Sequence, residues 1–355
     1  MLDFVQIPFG TIALSAAAMM TPHLSHAQDN NPTPDISALE QSCEAGTLKS
    51  CLELGVAYYH GNGVQENDEK ALQHFLHACE TGYPLACAEV GHMYEKGYGT
   101  AQDFVAAAKY QGLGCDAGAT WSCVNAGYWL MIGKVVEKDS AKAARYFAQG
   151  CKGEDATSCY YFATLNESGD GITQDYSIAA NNYQLACDLR ETRGCAALGA
   201  LTEQGLGVPQ DVDKSYLLYS YACDKGNIQS CAQLGDLVAS GKAWVQDVEL
   251  AHKLYLESCD NRSMASAVNS SAEACFKAGQ NLERGKFIEA YPRKAIRLYD
   301  QACNLGLAPA CTRAGILTSE GHANSFGSVD QEVVANYFEK GCGLGDQEAC
   351  ALREN

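Results

Sequence analysis

An alanine followed four residues later by an aromatic recurs along this chain: Ala71/Phe75, Ala143/Phe147, Ala179/Tyr183, Ala251/Tyr255 and Ala295/Tyr299. A spacing of four places both side chains on one face of a helix. Ser215/Tyr219 keeps the aromatic without the alanine, Gln111 breaks the aromatic column after Ala107, and Phe338 follows Ala335 by only three. Just ahead of this face stands a column of cap formers: Asn67, Asp103, Asp139, Asp175, Asp211 and Asp247. Their side chains accept hydrogen bonds from the free amides of a first helical turn. Tyr291 interrupts the column, but the following Pro292 suits a first helical position. The pattern predicts a helix B over about 68–80 and over the matching positions later in the chain.

A second pattern alternates with the first. A pair of small or aliphatic residues recurs at Leu54-Gly55, Val90-Gly91, Ala126-Gly127, Leu198-Gly199, Leu234-Gly235, Ala278-Gly279 and Ala314-Gly315, with Phe162-Ala163 departing. A further glycine closes each stretch, from Gly61 and Gly97 to Gly285 and Gly321. This predicts a helix A over about 51–60, with a glycine permitting close helix approach and a left-handed glycine ending it.

Cysteines set the register. The eighteen pair as Cys43 with Cys51, Cys79 with Cys87, Cys115 with Cys123, Cys151 with Cys159, Cys187 with Cys195, Cys223 with Cys231, Cys259 with Cys275, Cys303 with Cys311 and Cys342 with Cys350. From Cys43 to Cys259 the first members recur every 36 residues, and the next two steps are 44 and 39. A period of this size marks a helical repeat array. Seven residues, usually including a glycine, separate most partners. That gap spans the turn from helix B to the next helix A, so each pair is expected to form a disulfide. Zinc is the competing reading, but each pair stands alone with no histidine keeping the same period.

The run Cys51, Leu54-Gly55, Tyr58, Gly61, Gly63-Val64, Lys70-Ala71, Phe75, Ala78-Cys79 resembles the Sel1-like repeat. A second copy runs from Cys195 through Leu198-Gly199, Gly205, Gly207-Val208 and Lys214 to Ala222-Cys223. The cysteine-paired form resembles the secreted cysteine-rich proteins of the Helicobacter type. The resemblance covers residues 35–355. It implies an all-α fold: a right-handed α/α solenoid of about eight TPR-like helix pairs, entered by a helix near 35–45. It also implies a scaffold that binds a peptide or protein on its concave face. Some similar cysteine-rich proteins are described as binding or weakly hydrolysing β-lactams, and another similar protein assists assembly of respiratory components.

Charge and the N-terminus narrow the setting. The net charge of -18 disfavours nucleic acid and anionic lipid as partners. Paired cysteines favour an oxidising compartment. Residues 1–27 read as a signal peptide: an apolar stretch from Ile7 to Met20, then Ser25-His26-Ala27 as a cleavage site before Gln28. Asp3 stands where a basic residue is usual. Residues 28–34 are expected to be a short disordered segment, and the mature chain a monomer, secreted or periplasmic, without a membrane-spanning segment.

Recognisable catalytic chemistry is missing from the sequence. It contains no Ser-x-x-Lys, Lys-Thr-Gly, His-Glu-x-x-His or Gly-x-Ser-x-Gly. No cofactor or metal is expected, although His74 and His77 lie about one turn apart. Candidates for a binding surface are the helix A residues Tyr59, His60, Glu95, Trp129, Tyr161 and Glu203, since tyrosine and tryptophan combine large contact area with a polar handle. Tyr58 and Tyr94 are read as packing residues. The long gap DNRSMASAVNSSAEA between Cys259 and Cys275 either lengthens a loop or starts helix A early.

Overall fold

A computed structural model describes residues 34–242, 247–260, 268–285, 289–323 and 327–354. The expected signal peptide, and residues 28–33 after it, lie outside the described residues.

Eighteen α-helices and no strand occupy the described residues. An entering helix, α1 (Ile36–Glu44), precedes eight A/B pairs. These are α2 (Leu48–His60) with α3 (Asp68–Glu80), α4 (Leu85–Lys96) with α5 (Phe104–Asp116), and α6 (Thr120–Ile132) with α7 (Ser140–Lys152). Next come α8 (Ala156–Ser168) with α9 (Tyr176–Asp188), α10 (Thr192–Gln204) with α11 (Val212–Asp224), and α12 (Ile228–Ser240) with α13 (Val248–Asp260). The last pairs are α14 (Val268–Arg284) with α15 (Pro292–Asn304) and α16 (Ala308–Ser319) with α17 (Gln331–Gly343), closed by α18 (Gln347–Arg353). The chain divides into two compact units, with the boundary at Ser122/Cys123 inside α6. Within each unit the helices stack as a solenoid, successive helices packing on one another from α1 to α5 and from α7 to α18.

One contact explains most of the repeat. A side chain at Gly55 would stand 2.5 Å from Phe75 Cε1, at Gly127 2.7 Å from Phe147, and at Gly199 2.9 Å from Tyr219. The same holds for Gly235 with Tyr255, Gly279 with Tyr299 and Gly315 with Phe338. The glycine of helix A is therefore the floor on which the helix B aromatic lies. Gln111 takes that place over Gly91. One turn before each aromatic, Ala71, Ala143, Ala179, Ala251 and Ala295 are fully buried. In the last pair the buried partner is Val334, four before Phe338, while Ala335 is exposed. This corrects the expected Ala335 column and restores the four-residue spacing.

Caps fix the helix starts. Asn67 accepts from Lys70 N at 2.9 Å, and Asp103, Asp139, Asp175, Asp211 and Asp247 cap in the same way. Helix A begins about three residues before its cysteine, earlier than the expected start at residue 51. A second cap column produces this: Asp155 accepts from Ser158 N and Asn227 from Ser230 N. The turn ahead of it is short because glycine adopts positive φ there, as at Gly46 (φ 91°).

Disulfides join neighbouring cysteines. Bridges run from Cys43 to Cys51, Cys79 to Cys87, Cys151 to Cys159 and Cys187 to Cys195. Four more run from Cys223 to Cys231, Cys259 to Cys275, Cys303 to Cys311 and Cys342 to Cys350. Their Cα atoms stand 4.5–4.8 Å apart. Cys115 and Cys123 are also disulfide-bonded. Cys159, at the start of α8, is fully buried against α7, which carries Cys151. Cys350 is half-buried on α18 and ties that short closing helix to α17 through Cys342. Apart from the first bridge, which joins the entering helix α1 to α2, and the last, each ties helix B of one repeat to helix A of the next. At Cys259–Cys275 the added residues start helix A early, since α14 runs for 17 residues against 13 in α12, while residues 261–267 lie outside the described residues.

Candidate functional site

The six candidate residues separate into three environments. Glu95 and Glu203 belong to a polar ladder inside the repeats. Where the helix B aromatic is tyrosine, its hydroxyl meets an acid on the helix A of its own pair. Tyr183 donates to Glu167 Oε2 at 2.5 Å, Tyr255 to Asp236 Oδ1 at 2.7 Å and Tyr299 to Glu283 Oε2 at 2.5 Å. Gln111 Nε2 donates to Glu95 Oε2 at 2.9 Å in the equivalent place, and Lys96 pairs with the other oxygen at 2.8 Å. Burial works against the Glu95 charge, but these hydrogen bonds prevail and hold its carboxyl below the usual range. Glu203 stands beside Tyr219 and pairs with Lys242 at 3.3 Å. Both acids are thus engaged within the chain.

Tyr161 and Trp129 lie in the second unit, on an aromatic strip that crosses three successive A helices. Trp129, half-buried on α6, meets Tyr128 edge-on with ring centres 6.0 Å apart. Tyr128 is exposed and reaches Tyr161 of α8 at 5.9 Å. Tyr161 packs on Phe147 at 5.1 Å and on Tyr160 at 5.3 Å. Arg193 of α10 then covers both rings, 4.5 Å from the Tyr160 centre and 5.4 Å from that of Tyr161. Its Nη1 donates to the Tyr161 hydroxyl at 3.3 Å, and its Nη2 pairs with Glu191 at 2.7 Å. Burial pushes the Tyr160 phenol up, with Arg193 opposing.

Tyr59 and His60 lie in the first unit. Their rings meet edge-on at 4.8 Å, and Tyr59 also meets Tyr98 at 5.9 Å. His92 of α4 approaches Tyr98 from another side at 6.1 Å. Burial raises the Tyr59 phenol, and the nearby Tyr98 phenol and the acids Asp68, Glu89 and Glu66 raise it further. Tyr58 and Tyr94 pack: Tyr58 is buried and stacks on His74 at 5.5 Å, and Tyr94 stacks on Tyr110 at 5.7 Å.

Sequence reasoning passed over Tyr98, Glu89, Tyr160 and Arg193. A signal existed for Tyr98, which fills a turn position held by Asn62, Lys134 and Asp170 in neighbouring repeats. Arg193 gave none, because its two tyrosine partners stand a full repeat away.

Among the described residues, two sets of side chains come close enough for a shared metal: Cys43, Cys51 and His77, and Cys223, Cys231 and Glu257. In both, the sulfurs are already joined in a disulfide and offer no thiolate. His74 is stacked on Tyr58, and burial lowers its affinity for a proton.

The comparisons agree with this architecture. The Sel1 repeat family matches residues 48–83, 84–118, 122–155, 156–190, 192–227, 228–263 and 272–307. No curated protein matches the chain. A protective antigen of uropathogenic Escherichia coli with an SLR fold is 26% identical at a TM-score of 0.71. The match covers 90% of this chain but 66% of that one, just under two thirds of its length. A Sel1 repeat protein from Oxalobacter formigenes is 22% identical, with a TM-score of 0.59 and 78% of each chain covered. Cysteine-rich protein B of Helicobacter pylori is 22% identical over 38% of this chain and 96% of its own, with a TM-score of 0.31. No described helix is long and apolar enough to cross a membrane. With family matches over more than half of its length and disulfide-closed helix pairs throughout, this chain belongs to the Sel1-repeat family.

Proposed function

We propose that this protein is an extracytoplasmic interaction scaffold that holds a protein or peptide partner on the Tyr128–Trp129–Tyr161–Tyr160–Arg193 strip. The observation that carries this reading is the placement of the Arg193 guanidinium across two tyrosine rings, beside exposed Tyr128. Tyrosine, tryptophan and arginine dominate binding energy at protein interfaces, since each offers a large, stiff contact with a polar end. Arg193 is held in place by Glu191, so little freedom is lost when a partner arrives. The oxidised cysteines support a secreted or periplasmic setting. No observation favours the hydrolase or assembly-factor alternatives over this one.

The test is chemical crosslinking of the protein in its native envelope or secreted fraction, followed by mass spectrometry. A partner that crosslinks reproducibly and is lost from correctly folded Trp129→Ala and Arg193→Ala variants is the expected result. A partner retained at full yield by both variants, or none in any fraction, overturns the proposal.

A further inference from the structure

Glu89 is half-buried on α4, two residues after Cys87, and among the described residues no hydrogen bond or ion pair reaches its carboxylate. In two later repeats the same slot carries a cation, where others hold Asn125, Tyr161, Ala197 or Gln233. Lys277 follows Cys275 by two, and its Nζ lies 2.7 Å from both carboxylate oxygens of Asp236 on the preceding helix A. It also stands 5.7 Å over the Tyr255 ring. Arg313 follows Cys311 by two and pairs with Glu283, again on the preceding helix A. In those repeats the chain itself supplies anion, ring and cation. In the first unit the slot holds the anion, and the preceding helix A supplies Tyr59, a ring without a charge.

The surroundings of Glu89 complete the comparison. Tyr59 is close enough for Glu89 to raise its phenol, and Tyr98, 39% exposed, packs on Tyr59 from the turn after α4. Glu66 and Asp68 add negative potential around the same phenol. His60 and His92 flank the two rings.

We propose that Glu89, Tyr59 and Tyr98 form a pocket for a lysine or arginine side chain of a protein partner. An incoming cation meets ring faces rich in π density and a carboxylate that burial has partly desolvated. Burial pushes the Glu89 carboxyl up to about 7, the mark of an anion lacking a counter-charge. A bound ammonium or guanidinium supplies that charge, as Lys277 does for Asp236 within the chain. The net charge of -18 steers basic segments toward such a pocket from a distance. The proposal rests on the interaction-scaffold reading, but its test uses a defined probe and needs no natural partner.

The probe is the amidated, N-acetylated tripeptide Lys-Lys-Lys, titrated into the full disulfide-bonded chain carrying isotope-labelled tyrosine and followed by NMR. The Tyr59 and Tyr98 ring signals shift and saturate, and the tripeptide with every lysine acetylated leaves them in place. Glu89→Gln weakens binding about fivefold or more, and Tyr98→Ala also weakens it, while Glu137→Gln, which removes an acid elsewhere on the surface, does not. Unmoved Tyr59 and Tyr98 signals overturn the pocket. So does an equal loss in Glu89→Gln and Glu137→Gln, which means diffuse attraction to an acidic surface. The signals of buried Tyr58 report whether each variant is folded. A failure here beside a partner captured on the Tyr161 strip removes the pocket and leaves the scaffold reading in place.

Discussion

Tyr299 donates its phenolic hydrogen to Glu283 across 2.5 Å, linking helix B to helix A within one repeat. The residue at the Glu283 position tracks the aromatic except at Tyr255, which has Ala239 there and finds its acid, Asp236, three residues earlier. Tyr183 faces Glu167 and Tyr219 faces Glu203, whereas Phe75, Phe147 and Phe338 come with Tyr59, Met131 and Ser319 there. A buried hydroxyl needs an acceptor, and a ring without one does not. Phe147→Tyr is therefore expected to destabilise the protein by about 1–3 kcal/mol, because Met131 is a poor acceptor. Adding Met131→Glu should recover much of that loss. Urea unfolding of the two single variants and the double variant measures the coupling, and purely additive effects would contradict the ladder.

The ladder also sets the alkaline limit. Burial first, then the paired carboxylates, push the phenols of Tyr183, Tyr255 and Tyr299 far above their ordinary 10.0. Above that pH the unfolded chain releases these protons while the folded chain keeps them. Stability is then fully present below the unfolded value and falls as pH rises beyond it. Thermal melts between pH 8 and pH 12 are expected to drop steeply from about pH 10. Tyr299→Phe should flatten that drop while lowering stability at pH 8.

Glu89 predicts a different window. Its carboxyl, ordinarily at 4.5, is pushed up to about 7 by burial. The folded state binds the proton more tightly, so its contribution is present below about pH 4.5 and is lost as pH climbs through 7. Glu89→Gln is expected to melt higher than the unaltered protein at pH 8, with the difference shrinking at pH 5. Identical melting curves at both pH values would count against a desolvated carboxylate.

The helix A glycines differ from the turn glycines in what they tolerate. An added methyl at Gly91 meets the backbone nitrogen of Gln111 at 2.8 Å and the carbonyl of Ala107 at 3.1 Å. Neither can rotate away, so Gly91→Ala should cost about 1–3 kcal/mol by overpacking. Gly118 has nothing within 4 Å and only its positive φ of 96° to lose, so Gly118→Ala should cost less. Chemical denaturation of both variants ranks them.

Removing a bridge should cost slightly more stability the longer the loop it closes. Cys259–Cys275 encloses a separation of 16 residues against 8 for Cys43–Cys51. The chain-entropy relation gives about 3 kcal/mol for the longer loop and about 2.5 kcal/mol for the shorter. Replacing each pair with serine and comparing unfolding midpoints tests the order, and non-reducing peptide mapping checks the neighbour pairing itself.

Much of this architecture was legible in the sequence because its signals are local. The cysteine period, the Ala71-to-Phe75 spacing and the Asn67 and Asp103 caps each act within one or two helical turns. The early start of helix A was missed because the Asp155 and Asn227 caps sit inside the short disulfide turn, where they read as loop residues. Ala335 misleads because it keeps the alanine but not the spacing, and the core selects by the side of the helix that is buried.

The sequence by itself determined the number of helix pairs, their register and the neighbour pairing of cysteines, since each depends on contacts between residues close along the chain. Only the tertiary structure decided which helix A side chains are engaged within the chain. Glu95 and Glu203 have the composition of binding residues, but Gln111 and Lys242, brought to them by packing, engage both. Arg193 reaches Tyr160 and Tyr161, and Tyr98 reaches Tyr59, only across the stacking of repeats. Such pairings depend on how one helix lies against the next, and a repeat period by itself does not encode them.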